Sequence, residues 1–193
     1  MPKGEPPQFV LLLWPVVDRL LRAIYHIKPL KADGSGIICL DLRRYRGPIR
    51  VLNDGSKVRT GDTIIELHLH NAWFKRRRKL NLRASQSARE ILGCFEQDLR
   101  FLAQQLVNGR FEGVVALHGS TLLHGGAKRL GFQVEELLPS LWKKGARFYM
   151  AGLMHVYHLR GDKASGLREK PWEPKEVWLS RAALLTRYGP KHP

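Results

Sequence analysis

Thr63-Ile64-Ile65-Glu66-Leu67-His68-Leu69-His70 alternates apolar and polar side chains, the period of a strand with two unlike faces. It is entered through a Gly61-Asp62 turn. Downstream, Ser87-Ala88-Arg89-Glu90 fits a capping box, in which the serine and the glutamate each satisfy a backbone amide of a helix start. Ile91, Leu92, Phe95, Leu99, Leu102 and Leu106 then form one apolar stripe, which Asn108-Gly109 stops. Gly113 to His118 is short and apolar, a buried strand. Strand, crossover helix and strand connect right-handed and place their two strands side by side and parallel. The segment 63–118 therefore decides the fold.

Working outward from it, Ile37–Leu42 and Ile49–Leu52 read as strands, and Asn53-Asp54-Gly55 is a hairpin turn signal. Earlier still, Val16, Val17, Leu20, Leu21, Ile24 and Ile27 recur at helical period, and that helix ends before Pro29. On the other side, Thr121–Leu130 reads as a helix weakened by Gly125-Gly126, and Val134–Trp142 as a second weak helix. Arg147–His158 reads as a strand, 159–175 as a polar loop, and Glu176–Leu179 as a last strand. Ser180 caps a final helix that stops at Gly189. The expected fold is α+β: a mixed sheet flanked by helices, in one domain over 9–190, with tails at 1–8 and 191–193.

The chain has 193 residues and a net charge of +16, with a pI near 10.4. At 44% hydrophobic residues it is not a disordered chain, and no internal period suggests a repeat array. Its longest nearly uncharged apolar run, Phe9 to Val17, is far below the roughly 20 residues that span a bilayer. The charge points to anionic partners: an acidic glycan, a phosphorylated small molecule, an anionic lipid or nucleic acid. No zinc-finger spacing, aromatic RNP motif or heptad run is present, which argues against sequence-specific DNA reading. Cys39 and Cys94 fall in separate elements, as in a reducing compartment, and no signal-peptide order opens the chain. A cytoplasmic protein is expected. Phe9, Trp14 and their apolar neighbours add the alternative of peripheral contact with a membrane.

Positive charge is concentrated in one place. Lys75, Arg76, Arg77, Arg78, Lys79 and Arg83 give residues 72–84 a charge of +6. Trp73 and Phe74 precede them, so rings that stack and cations that pair with phosphates or carboxylates adjoin; Asn71 borders the run. A solvated basic loop is the alternative. Glu66, His68 and His70 share one face of their strand. They suit a general base with its orienting partner, two ligands of an open metal site, or a plain solvated face. His118, Gly119, Ser120 and Thr121 lie between a strand and a helix, where backbone amides can hold an anion or simply make a turn.

Gly61-Asp62-Thr63-Ile64 running into Glu66–Asn71, then Ala127-Lys128-Arg129-Leu130-Gly131-Phe132, Phe148–Leu153 and Val177-Trp178-Leu179-Ser180-Arg181, resemble the YkoP-type domain over about residues 10–190. That family comprises small bacterial proteins and domains attached to polysaccharide deacetylases. The resemblance implies a connection with cell-envelope polysaccharide and association with a deacetylase, but no established activity. The order of elements is also similar to that of the GNAT acyltransferases. There the loop opening the long helix holds the acyl-CoA pyrophosphate through closely spaced glycines. The matching stretch here, Asn71 to Ser87, has no glycine, so close backbone approach to pyrophosphate is in doubt.

Three functions follow in order: an accessory domain binding an anionic ligand along Trp73–Lys79, an acyl-CoA-dependent transferase with Glu66 or His68 as base, and a mononuclear metal hydrolase using His68 and His70.

Overall fold

The computed structural model describes residues 27–70, 73, 84–121, 124–137 and 174–190. Its centre is the strand–helix–strand unit. Strand β5 (Thr63–Leu69) and β6 (Val114–Thr121) pair in parallel, joined through the long helix α1 (Ala84–Val107). Helix α1 starts three residues before the expected cap at Ser87, and Gly109, at φ 80°, turns the chain out of it.

Around this unit lies a six-stranded sheet ordered β1-β2-β5-β6-β8-β7, with β1 Lys28–Pro29, β2 Ile38–Arg44, β7 Gln133–Glu136 and β8 Lys175–Ser180. Every pairing in it except β5–β6 is antiparallel. The described elements thus form an α+β arrangement on a mixed sheet, as expected. The hairpin at Asn53-Asp54-Gly55 also forms, with Gly55 at φ 80° and the Leu52 amide donating to the Ser56 carbonyl at 2.8 Å. Its strands β3 (Arg50–Val51) and β4 (Lys57–Val58) make a separate two-stranded sheet.

Three expectations fail. Lys28 and Pro29 pair with Leu40 and Cys39 as an edge strand, where the first helix was expected to run on to Lys28. Residues 134–136, expected to open a helix, belong instead to β7 beside β8. Val134 packs on the core while Glu135 faces the opposite way, a period of two that the partner strand enforces over weak local preference. Finally, β6 runs on to Thr121, so the next helix, α2, is confined to His124–Arg129. The expected helix before residue 27 and the strand at 147–158 lie outside the described residues.

The first face of the sheet carries the main core. Leu40, Ile65, Leu117 and Leu179 from successive strands meet Leu99, Leu102 and Leu106 of α1 and Leu184 of α3 (Arg181–Tyr188). Ser180 caps α3, its hydroxyl accepting from the Ala183 amide at 2.8 Å. A buried carboxylate joins α1 to the sheet. Asp98, 2% exposed, accepts from the Ile37 and Ile38 amides at 2.7 and 2.9 Å and pairs with Lys31 at 2.7 Å. Gly36 leaves it room, since a Cβ there would lie 2.7 Å from a carboxylate oxygen. Among the described residues no helix is long and apolar enough to cross a membrane.

Candidate functional site

The second face is different in kind. Beneath the β3–β4 hairpin it is apolar, with Leu52, Val58, Ile64, Ala116 and Trp178 packed together. Across the middle it is polar. The strand registers place Asp41 of β2 opposite Glu66 of β5, Glu66 opposite His118 of β6, His118 opposite Trp178 of β8, and Trp178 opposite Gln133 of β7. Five residues therefore form one transverse row: carboxylate, carboxylate, imidazole, indole, amide. Side chains so aligned on neighbouring strands, about 4.8 Å apart, interact directly.

Two arginines bracket the row. The Arg43 Nε donates to Asp41 at 2.7 Å and makes an ion pair with Glu66, 2.8 Å away. Arg50, reaching in from β3, pairs with Glu135 and, at 3.2 Å, with Glu176, and its guanidinium sits 4.7 Å from the centre of the Trp178 ring. His118 stacks on the same indole at 4.2 Å with the rings inclined by 34°. Burial pushes the Glu66 carboxyl above the usual carboxylate range against the pull of Arg43, and Asp41 adds to the rise. Burial, then the charges of Arg50, Arg43 and His68, push His118 down to about 4, so its imidazole is neutral near pH 7. Among the described residues, the His118 Nε2 and the Arg50 Nε are enclosed without a hydrogen-bond partner.

Glu66 and His68 share this second face, as their spacing implies. His68 stands opposite Cys39 in the register. His70 lies just beyond the strand and serves the loop instead. Its Nδ1–H donates to the Gly36 carbonyl at 3.0 Å, and its amide to Ile37 at 2.8 Å. Trp73, expected to stack on a ligand, is 6% exposed and packs in the main core, so its ring is turned to protein. His118, Gly119, Ser120 and Thr121 are ladder residues of β6, opposite Trp178, Val177, Glu176 and Lys175. Their backbone is engaged in the sheet and makes no anion-binding turn, because the strand continues where a helix start was expected. Asn71 and Lys75, Arg76, Arg77, Arg78 and Lys79 lie outside the described residues.

Sequence reasoning missed Asp41, Arg43, Arg50, Gln133, Glu135, Glu176 and Trp178 as members of the row and its brackets. Asp41 and Arg43 did carry a signal, since they alternate with Leu40 and Leu42 at strand period. Arg50 carried none. Among the described residues no group of three His, Cys, Asp or Glu side chains could hold a metal ion, so His68 and His70 have no third ligand there.

Comparison with known proteins decides the family. The YkoP domain family model matches residues 7–188. The chain belongs to the YkoP domain family. It is similar to the uncharacterized protein YkoP of Bacillus subtilis (strain 168), at 28% identity over 125 residues, 64% of this chain and 68% of that protein. No solved structure matches the chain. Within the YkoP domain, the polar row is built from strands β2, β5, β6, β8 and β7, all inside the matched range.

Proposed function

We propose that this YkoP domain is a ligand-binding domain connected with bacterial cell-envelope polysaccharide, which takes an anionic ligand through the basic run Lys75–Lys79. The observation that carries the reading is positional. The run follows the carboxyl end of β5, the strand parallel to β6, and in parallel pairs ligands gather at the carboxyl ends of the strands. The sheet face itself suits an anion poorly, because Arg43 and Arg50 are already held by carboxylates. The link to polysaccharide, and association with a deacetylase, rest on the family resemblance alone.

The test is titration of wild type and the Arg76→Ala/Arg77→Ala/Arg78→Ala variant against polygalacturonate and against phosphatidylglycerol vesicles, at several salt concentrations. At about 1 kcal/mol per cation near an anionic surface, three arginines account for about 3 kcal/mol, a loss of about a hundredfold in affinity. Preference for the glycan over the vesicles supports the polysaccharide connection. Unchanged affinity for both removes the basic run as the binding element.

One observation favours acyl-CoA-dependent transfer as a second reading. Burial raises the Glu66 carboxyl above its ordinary value, the direction a general base needs, on the strand that precedes the basic run in sequence. A rise in the unfolding midpoint with acetyl-CoA that survives high salt would promote this reading, and no rise would remove it.

A further inference from the structure

Strand β3 of the hairpin runs against the usual pattern. A two-stranded sheet laid on a core presents apolar side chains inward and polar ones outward. Here Arg50 turns inward, onto the Trp178 ring. Ile49 and Val51, on either side of it, point out and keep 65% and 57% of their surface exposed. We infer that this outer face of the β3–β4 hairpin is a membrane-contact surface, seated on the headgroup layer of an anionic bilayer. It shares no residue with the basic run and stands whether or not that run binds an anion.

The inversion is built in, because the hairpin is fastened from beneath. Leu52 and Val58 are buried on the second face of the sheet. The Arg50 guanidinium is held by Glu135 and Glu176, the Asn53 amide donates to the Gln133 side chain at 2.7 Å, and Asp54 accepts from the Ser180 hydroxyl. These contacts fix the register, and only a slip of one residue would turn Ile49 and Val51 inward. The other strand completes the outer face. Val51 stands opposite Lys57, and Lys57 and Arg59, both exposed, flank the buried Val58. Neither cation enters an ion pair among the described residues. The carboxylates close to them in sequence are engaged by the backbone: Asp54 accepts from the Ser56 amide at 3.1 Å, and Asp62 from the Arg59 amide at 2.7 Å.

Charge and shape then select the occupant. A second copy of the chain, meeting this face with its own, would set Lys57 and Arg59 against themselves. Single-stranded nucleic acid is gripped by aromatic side chains, and Tyr45 is turned to the Trp178 ring instead, 5.7 Å away. A stable protein partner buries roughly 800 Å² on each side around a well-packed apolar centre, for which two aliphatic side chains are too few. A bilayer asks for less: apolar side chains that reach the boundary of headgroups and acyl chains, and cations level with the phosphates. Ile49 and Val51 supply the first, Lys57 and Arg59 the second.

The test uses the full-length chain and vesicles of equal parts phosphatidylcholine and phosphatidylglycerol. Wild type should sediment with them and not with phosphatidylcholine alone. Lys57→Ala/Arg59→Ala should bind about thirtyfold more weakly, at about a factor of five for each cation. Ile49→Thr/Val51→Thr keeps the branched Cβ that suits a strand; it should bind about tenfold more weakly with its unfolding midpoint unmoved. Lipid spin-labelled at the top of its acyl chain should, at saturation, broaden the Ile49 and Val51 methyl NMR signals. It should do so in wild type and in the variant lacking Arg76, Arg77 and Arg78 alike, which separates this surface from the basic run. Unchanged affinity in Ile49→Thr/Val51→Thr, or no broadening, overturns the inference. A lowered midpoint in that variant with vesicle affinity unchanged gives the face to a segment of this chain, and overturns it too. So does self-association that the variant abolishes, which gives the face to a second copy, or binding to polyglutamate and not to vesicles, which gives it to an acidic protein.

Discussion

Substituting alanine for Asp98 removes the acceptor of two buried backbone amides and the partner of Lys31 in one step. The Ile37 and Ile38 amides, bonded at 2.7 and 2.9 Å, would be left facing the core between α1 and the start of β2. Leaving a buried donor unsatisfied costs about 1–3 kcal/mol, so the pair costs about 2–6 kcal/mol. Domains are stable by only about 5–15 kcal/mol, so this is a large share of the total. The Lys31 contact adds little, because Lys31 keeps 24% of its side-chain surface exposed and such pairs contribute at most about 1 kcal/mol. The assay is urea unfolding followed by circular dichroism. With a slope of about 2 kcal/mol/M, a loss of about 4 kcal/mol lowers the midpoint by about 2 M. Lys31→Met should move it by less than about 0.5 M. Gly36→Ala probes the same contact from the other side, since its Cβ would force the carboxylate away and cost about 1–3 kcal/mol. An Asp98→Ala midpoint within about 0.5 M of wild type would refute this account of how α1 is fastened to the sheet.

Ser180→Ala should destabilise the chain by about 1–2 kcal/mol, because it removes the cap of α3 and the hydroxyl that donates to Asp54; thermal unfolding reads this directly. Stability should also depend on His118. Its pKa falls from 6.5 when unfolded to about 4 when folded, so the unfolded chain takes up the proton first. The contribution is present above pH 6.5 and is lost as pH falls through that value toward 4, amounting to about 3 kcal/mol at 1.36 kcal/mol per unit. A His118→Phe variant should show a flatter stability profile across that window, and an unchanged slope would show that His118 does not titrate there.

The local signals were sound where one element's own period carried them. The alternation at Thr63–Leu69 marked a strand with two faces, and the apolar stripe from Ile91 to Leu106 marked the helix that crosses from β5 to β6. Asn53-Asp54-Gly55 marked a turn, and Ser180 a cap, because the backbone there asks for those residue types. Local pattern failed at 134–136, which join a strand because β8 lies beside them. It failed at Trp73 too, since the same indole serves a ligand site or a core, and neighbouring residues alone do not separate the two.

By itself, then, the sequence determined the crossover unit, the alternation of its faces, the capped last helix and the concentration of positive charge after β5. Those features depend on residues close together in the chain, where backbone geometry and side-chain period act. Only the tertiary structure decided that Asp41, Glu66, His118, Trp178 and Gln133 stand in one row, and that Arg50 reaches it from the hairpin. The physical reason is that strand order is not written in any one strand. It is set by which faces can be buried together, and the strand order β1-β2-β5-β6-β8-β7 brings side chains from distant parts of the chain onto the same rung.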